Sequence, residues 1–83
     1  MKMVLNDKPN NYDADYASKF PFRMIFDQKD IKIIYDNALP IWYVQYDVRL
    51  WIHNEMNGMV DWDLIDFYFK TKEDAMRFKL VWG

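Results

Sequence analysis

Residues 41–53 read IWYVQYDVRLWIH, and the folding of this stretch decides the architecture. Its even positions, Trp42, Val44, Tyr46, Val48, Leu50 and Ile52, are all apolar or aromatic. Its odd positions, Ile41, Tyr43, Gln45, Asp47, Arg49, Trp51 and His53, are mixed. A period of two, carried by β-branched and aromatic residues, predicts a strand. The even set then faces a core, and the odd set is polar in its middle and aromatic toward its ends.

On the N-terminal side, Phe22, Met24 and Phe26 alternate with Arg23 and Ile25, which predicts a strand over 22–26. Ile31, Ile34, Tyr35, Ala38 and Leu39 fall at i, i+3, i+4, i+7 and i+8, one apolar helical stripe over 27–39. Asp27 is suited to its N-cap, Asp30 to its first turn, and Pro40 ends it. Earlier still, Met3-Val4-Leu5 can add an edge strand, and the Asn/Pro-rich residues 6–11 make a turn. Tyr12, Tyr16 and Phe20, spaced at four, line either a short helix or an arm laid across the body.

On the C-terminal side, Asn57-Gly58 predicts a hairpin turn, because both residues tolerate positive φ. The second arm of that hairpin runs from about Val60 to Lys70. It sets Asp63, Ile65, Phe67 and Phe69 on one face and Trp62, Leu64, Asp66 and Tyr68 on the other. Thr71 caps a closing helix, with Asp74 three residues on, and Ala75, Phe78 and Trp82 form its stripe beside Met76 and Leu80.

These elements predict an α+β two-layer sandwich: a three- or four-stranded antiparallel sheet packed by two helices, in the order βαββα, a truncated ferredoxin-like arrangement. Residues 1–20 are expected to be an N-terminal arm and 21–83 a single domain. A chain of 83 residues has room for one domain and buries only roughly 60–65% of its unfolded surface. Its apolar share of 52%, with 19% aromatic, compensates, since each large ring can bury about 150–250 Å².

Composition removes several function classes. There is no cysteine, hence no disulfide framework and no thiolate metal site, which points to a reducing cytoplasm. No apolar run reaches the ~18–20 residues that span a bilayer, and no signal-peptide core is expected at the N-terminus. The net charge of −2 argues against nucleic acid as a bulk electrostatic partner. Ser18 is the only serine, and Gly58 and Gly83 are the only glycines, so neither a nucleophile–base set nor a phosphate-cradling loop is expected. His53 is the only histidine and reads as a solvated residue. Asp61, Asp63 and Asp66 form a carboxylate cluster, and Asp13 with Asp15 another. On a strand Asp66 points away from the other two, and residues 13–18 lack the glycine and distal glutamate of a calcium loop. The acidic residues therefore read as edge protection, and neither metal nor cofactor is expected.

The ending, FYFKTKEDAMRFKLVWG over residues 67–83, resembles that of small bacteriophage-encoded proteins of uncharacterised function. In these a strand of alternating aromatics leads into a helix of the form D-A-x-x-F-K-L-x-W-G. The matching residues are Asp74, Ala75, Phe78, Lys79, Leu80, Trp82 and Gly83, and the matching stretch covers about a fifth of the chain. Such relatives often carry a cysteine-bearing aromatic segment in the middle, which this sequence lacks. The resemblance implies a viral accessory protein made in the cytoplasm of an infected bacterium.

Binding is then the expected activity. Helices cover one face of a sheet, and the other would expose Tyr43 and Trp51 with Arg49, beside Trp62, with Asp61 and Asp63 as a polar rim. Aromatic and arginine side chains are the types enriched at interface centres. The expected partner is a host protein whose action is inhibited or redirected, with a homodimer as a further possibility. The alternatives are a virion or assembly protein, and a single-strand binder that stacks bases on Tyr43 and Trp51 as RRM domains do. Against an exposed face stands the N-terminal arm, which could cover it through Tyr12, Tyr16 and Phe20.

Overall fold

A computed structural model describes residues 1–7, 15–36, 43–56, 60–63 (Asp63 by its backbone alone) and 66–83. The elements are β1 (Lys2–Leu5), α1 (Tyr16–Lys19), β2 (Phe22–Ile25), α2 (Gln28–Ile34), β3 (Tyr35–Asp36), β4 (Tyr43–Val44), α3 (Tyr46–Met56), β5 (Val60–Asp63), β6 (Asp66–Phe69) and α4 (Lys72–Trp82). The fold is α+β, with a four-stranded antiparallel sheet in the order β1-β2-β6-β5 packed against helices. A second, two-stranded ribbon joins β3 to β4.

The largest departure from the sequence reading is the stretch expected as the central strand. Only Tyr43–Val44 is extended; Tyr46–Met56 is α-helix. The reason is an ambiguity of period. Val44, Val48, Ile52 and Met56 recur every four residues, a spacing that fits both a strand face and a helical stripe. All four are buried. Tyr46 and Leu50, which a strand would bury on the same face, stand outside at 65% and 42% exposure. Gln45 starts the helix: its carbonyl accepts from the Arg49 N–H at 3.0 Å, while its own N–H donates to Ile34 O at 2.8 Å. Its side-chain amide also points back at the carbonyls of Lys32 and Tyr35, at 3.4 and 3.5 Å, near the end of α2 that they help to close.

The second departure is at residues 60–70. These do not form one strand but two, β5 and β6, paired Val60↔Phe69, Asp61↔Tyr68, Trp62↔Phe67 and Asp63↔Asp66. The reversal puts Trp62 on the face of Phe67, the reverse of the expected division. No glycine, proline or asparagine announces it, since positions 64 and 65 are Leu and Ile. The Asn57-Gly58 turn and Tyr12 lie outside the described residues, and the segment before that turn is α3, not a strand.

A third departure is the length of α2: it ends at Ile34, and Tyr35–Asp36, expected within it, are the strand β3, while Ala38, Leu39 and Pro40 lie outside the described residues. Other local expectations are met. The Met3-Val4-Leu5 patch adds the edge strand β1. Asp27 caps α2 in a reciprocal box: its carboxylate accepts from Asp30 N–H at 2.9 Å, and that of Asp30 accepts from Asp27 N–H at 3.1 Å. Thr71 Oγ1 accepts from Asp74 N–H at 3.1 Å and starts α4.

The core lies between one sheet face and helices α2, α3 and α4. Met24, Phe67 and Phe69 from the sheet meet Ile34, Val48, Ile52, Met56, Ala75 and Phe78 from the helices. Phe78 is the hub, with its ring centroid 5.3 Å from Phe67, 5.5 Å from Phe69 and 6.0 Å from Trp51. The opposite face of the sheet carries Tyr68 beside Arg23 and Asp61, and α1 lies over it.

Candidate interaction surface

The residues expected to share one exposed strand face do not share one. Tyr43 is on β4, Arg49 and Trp51 on α3, and Asp61, Trp62 and Asp63 on β5. Two residues apart on a helix, Arg49 and Trp51 point about 200° apart. A base-stacking platform built from Tyr43, Arg49 and Trp51 therefore loses its geometric basis.

Trp51 is an internal packing residue. Its ring lies 6.0 Å from Phe78 and 6.3 Å from Trp82, both edge-on, and the Arg77 guanidinium lies 6.0 Å above it. Arg77 also donates to the Glu55 carboxylate at 3.0 Å and carbonyl at 3.3 Å, and pairs with Asp74 at 3.5 Å. These contacts fasten α3 to α4. Trp62 is stacked on Phe67 at 5.5 Å with its rings 16° from parallel, and keeps 38% of its surface exposed.

Asp61 is not a bare rim carboxylate. Its Oδ2 accepts from the Tyr16 hydroxyl at 2.6 Å, and its Oδ1 from the Trp62 N–H at 2.9 Å. The Tyr16 ring stands edge-on to Tyr68 at 5.3 Å. The leading segment thus covers the centre of the second sheet face, and Tyr68 is left 4% exposed. This corrects the expectation of a bare apolar face.

A group of large exposed side chains stands on β4 and the start of α3. Tyr43 is 56% exposed and Tyr46 65%. Arg49 places its guanidinium carbon 5.9 Å from the centre of the Tyr46 ring, a cation–π contact that holds both side chains in place. Leu50 lies one turn on from Tyr46. Tyr43 and Arg49 belong to the expected set. Tyr46 and Leu50 were assigned to the core by the strand reading, and their place outside the four-residue ladder is the signal that separates them.

The polar interior is structural. Burial alone would raise the Asp30 carboxyl. The hydrogen bond from the Met1 ammonium, the Asp27 N–H and the ammonium's charge outweigh it, so the group lies below the ordinary carboxylate value. Burial first, and the Asp66 carboxylate second, push the Tyr35 phenol above its ordinary value. Among the described residues no three of His, Asp and Glu stand together as metal ligands. No described helix is long and apolar enough to cross a membrane. No family model, curated protein or solved structure matches the chain.

Proposed function

We propose that this chain is a small protein-binding domain, without catalysis of its own, whose contact surface is Tyr43, Tyr46, Arg49 and Leu50. The observation that carries this reading is the group of large side chains projecting from β4 and the start of α3, on the outside of a helix whose Val48, Ile52 and Met56 are buried in the core. Tyrosine and arginine contribute large contact area at small entropic cost and are frequent interface anchors. The resemblance of residues 67–83 to phage-encoded endings gives the partner its class: a host protein in the cytoplasm of an infected bacterium, which the domain occupies and inhibits or redirects.

The test is affinity capture from bacterial lysate with the intact chain and with a Tyr43→Ala/Tyr46→Ala variant, read by mass spectrometry. A host protein retained by the first and lost by the second, with unchanged circular dichroism, is the expected result. Loss of one anchor is worth about 2 kcal/mol, or roughly 30-fold in affinity. Identical retention by both chains would refute the surface. Recovery with virus particles instead of a soluble host factor would favour a virion component.

A further inference from the structure

We infer that residues 15–20 are a strap with a pivot and a catch, which opens as a unit and controls access to the second sheet face. The pivot is at its C-terminal end. Asn6, itself buried, donates from its side chain to Phe20 O at 2.9 Å and from its backbone to Pro21 O at 2.8 Å. The catch is at the other end, where the Tyr16 hydroxyl meets Asp61 Oδ2 at 2.6 Å in an exposed setting. Between them α1 has four residues, none of them buried. A helix that short has no stability of its own and persists through its contacts.

The asymmetry between strap and sheet gives the opening its meaning. The strap leaves its own side chains partly in solvent, yet the tyrosine beneath it is almost fully enclosed. Its holds include the Tyr16–Asp61 bond, the edge-on Tyr16–Tyr68 contact and the Lys70 ammonium 5.6 Å from the Phe20 ring centre. Tyr68 is not part of the main core cluster, so lifting the strap uncovers it without disturbing Phe67, Phe69 or Phe78. Elements held by few apolar contacts open at lower free energy than the whole fold. Anything that binds the Tyr68 face must first displace the strap.

The experiment is tyrosine nitration followed residue by residue by mass spectrometry, across low urea concentrations, on the intact chain and on Tyr16→Phe. Tyr68 and Tyr35 are both buried, but only Tyr68 lies under the strap. Strap opening exposes little surface, so the Tyr68 rate should depend weakly on urea while the Tyr35 rate rises steeply. Removing the catch hydroxyl should speed Tyr68 about two- to tenfold and leave Tyr35 unchanged. Equal urea slopes for the two residues, in the intact chain alone, would show that Tyr68 is reached only by global unfolding and overturn the proposal. So would a Tyr16→Phe variant that speeds both residues alike or neither.

Discussion

The Met1 ammonium lies 2.7 Å from Asp30 Oδ2, with both side chains almost entirely out of solvent. The same carboxylate closes the capping box of α2, so one acidic group ties the beginning of β1 to the beginning of a helix in the opposite layer. Because Asp30 is held below its ordinary pKa, its contribution is fully present above the unfolded carboxylate value of about 3.9 and is lost as pH falls through the lower folded one. Asp30→Asn should lower stability at pH 7 by about 1–3 kcal/mol. The gap from the unaltered chain should shrink toward pH 2. Urea midpoints at the two pH values measure this, and a gap of constant size would contradict the assigned ion pair.

Val48 and Leu50 separate the helix from the strand that the alternation suggests. Val48 is fully buried and Leu50 is 42% exposed. Val48→Ala should cost about 2 kcal/mol, and Leu50→Ala no more than about 0.5 kcal/mol. A strand would make the two losses comparable. Chemical denaturation of both variants distinguishes the cases.

Trp51 and Tyr43 should part company in the same way. Trp51→Ala removes the ring that joins Phe78, Trp82 and Arg77, and should cost about 2–3 kcal/mol with a general loss of helix signal. Tyr43→Ala should leave the thermal transition within a few degrees of its original position. Thermal scans by circular dichroism give the answer directly.

Phe78→Ala should be the most damaging single change in α4. It empties the point where Phe67, Phe69 and Trp51 converge, at about 3–5 kcal/mol, a large share of the stability of a domain this size. Leu80, two residues on and 82% exposed, should accept alanine at almost no cost. Comparable losses for the pair would mean that α4 is rotated on its axis.

Local chemistry made β2 and the starts of α2 and α4 readable in advance, though not the end of α2 at Ile34. Asp27 and Thr71 are side chains whose capping geometry is fixed within three residues, and nothing distant competes with it. The 41–53 stretch failed because a spacing of four is also twice two. Only Tyr46 and Leu50 discriminate, and both are apolar. The β5–β6 reversal failed because Leu and Ile occupy the positions between the strands, where turn-forming residues would have marked it. Of the expected contact residues, Tyr43 is exposed on β4 and Arg49 in the first turn of α3. Trp51 packs inward instead, because an aromatic side chain on an amphipathic element looks the same whether it serves a neighbouring helix or a foreign surface; Trp62 stacks on Phe67 and keeps part of its ring exposed.

The sheet order places β6 directly against β2, so strands from the two ends of the sequence are neighbours while the helices between them close over one side. During synthesis, β1 and β2 can pair early, but they present an unfinished flank until residues 66–69 have left the ribosome. Until β6 pairs with β2, the flank carrying Phe22 and Met24 stays uncovered and open to aggregation. Its final assembly is a late, long-range closure, slower than the quick formation of its individual helices.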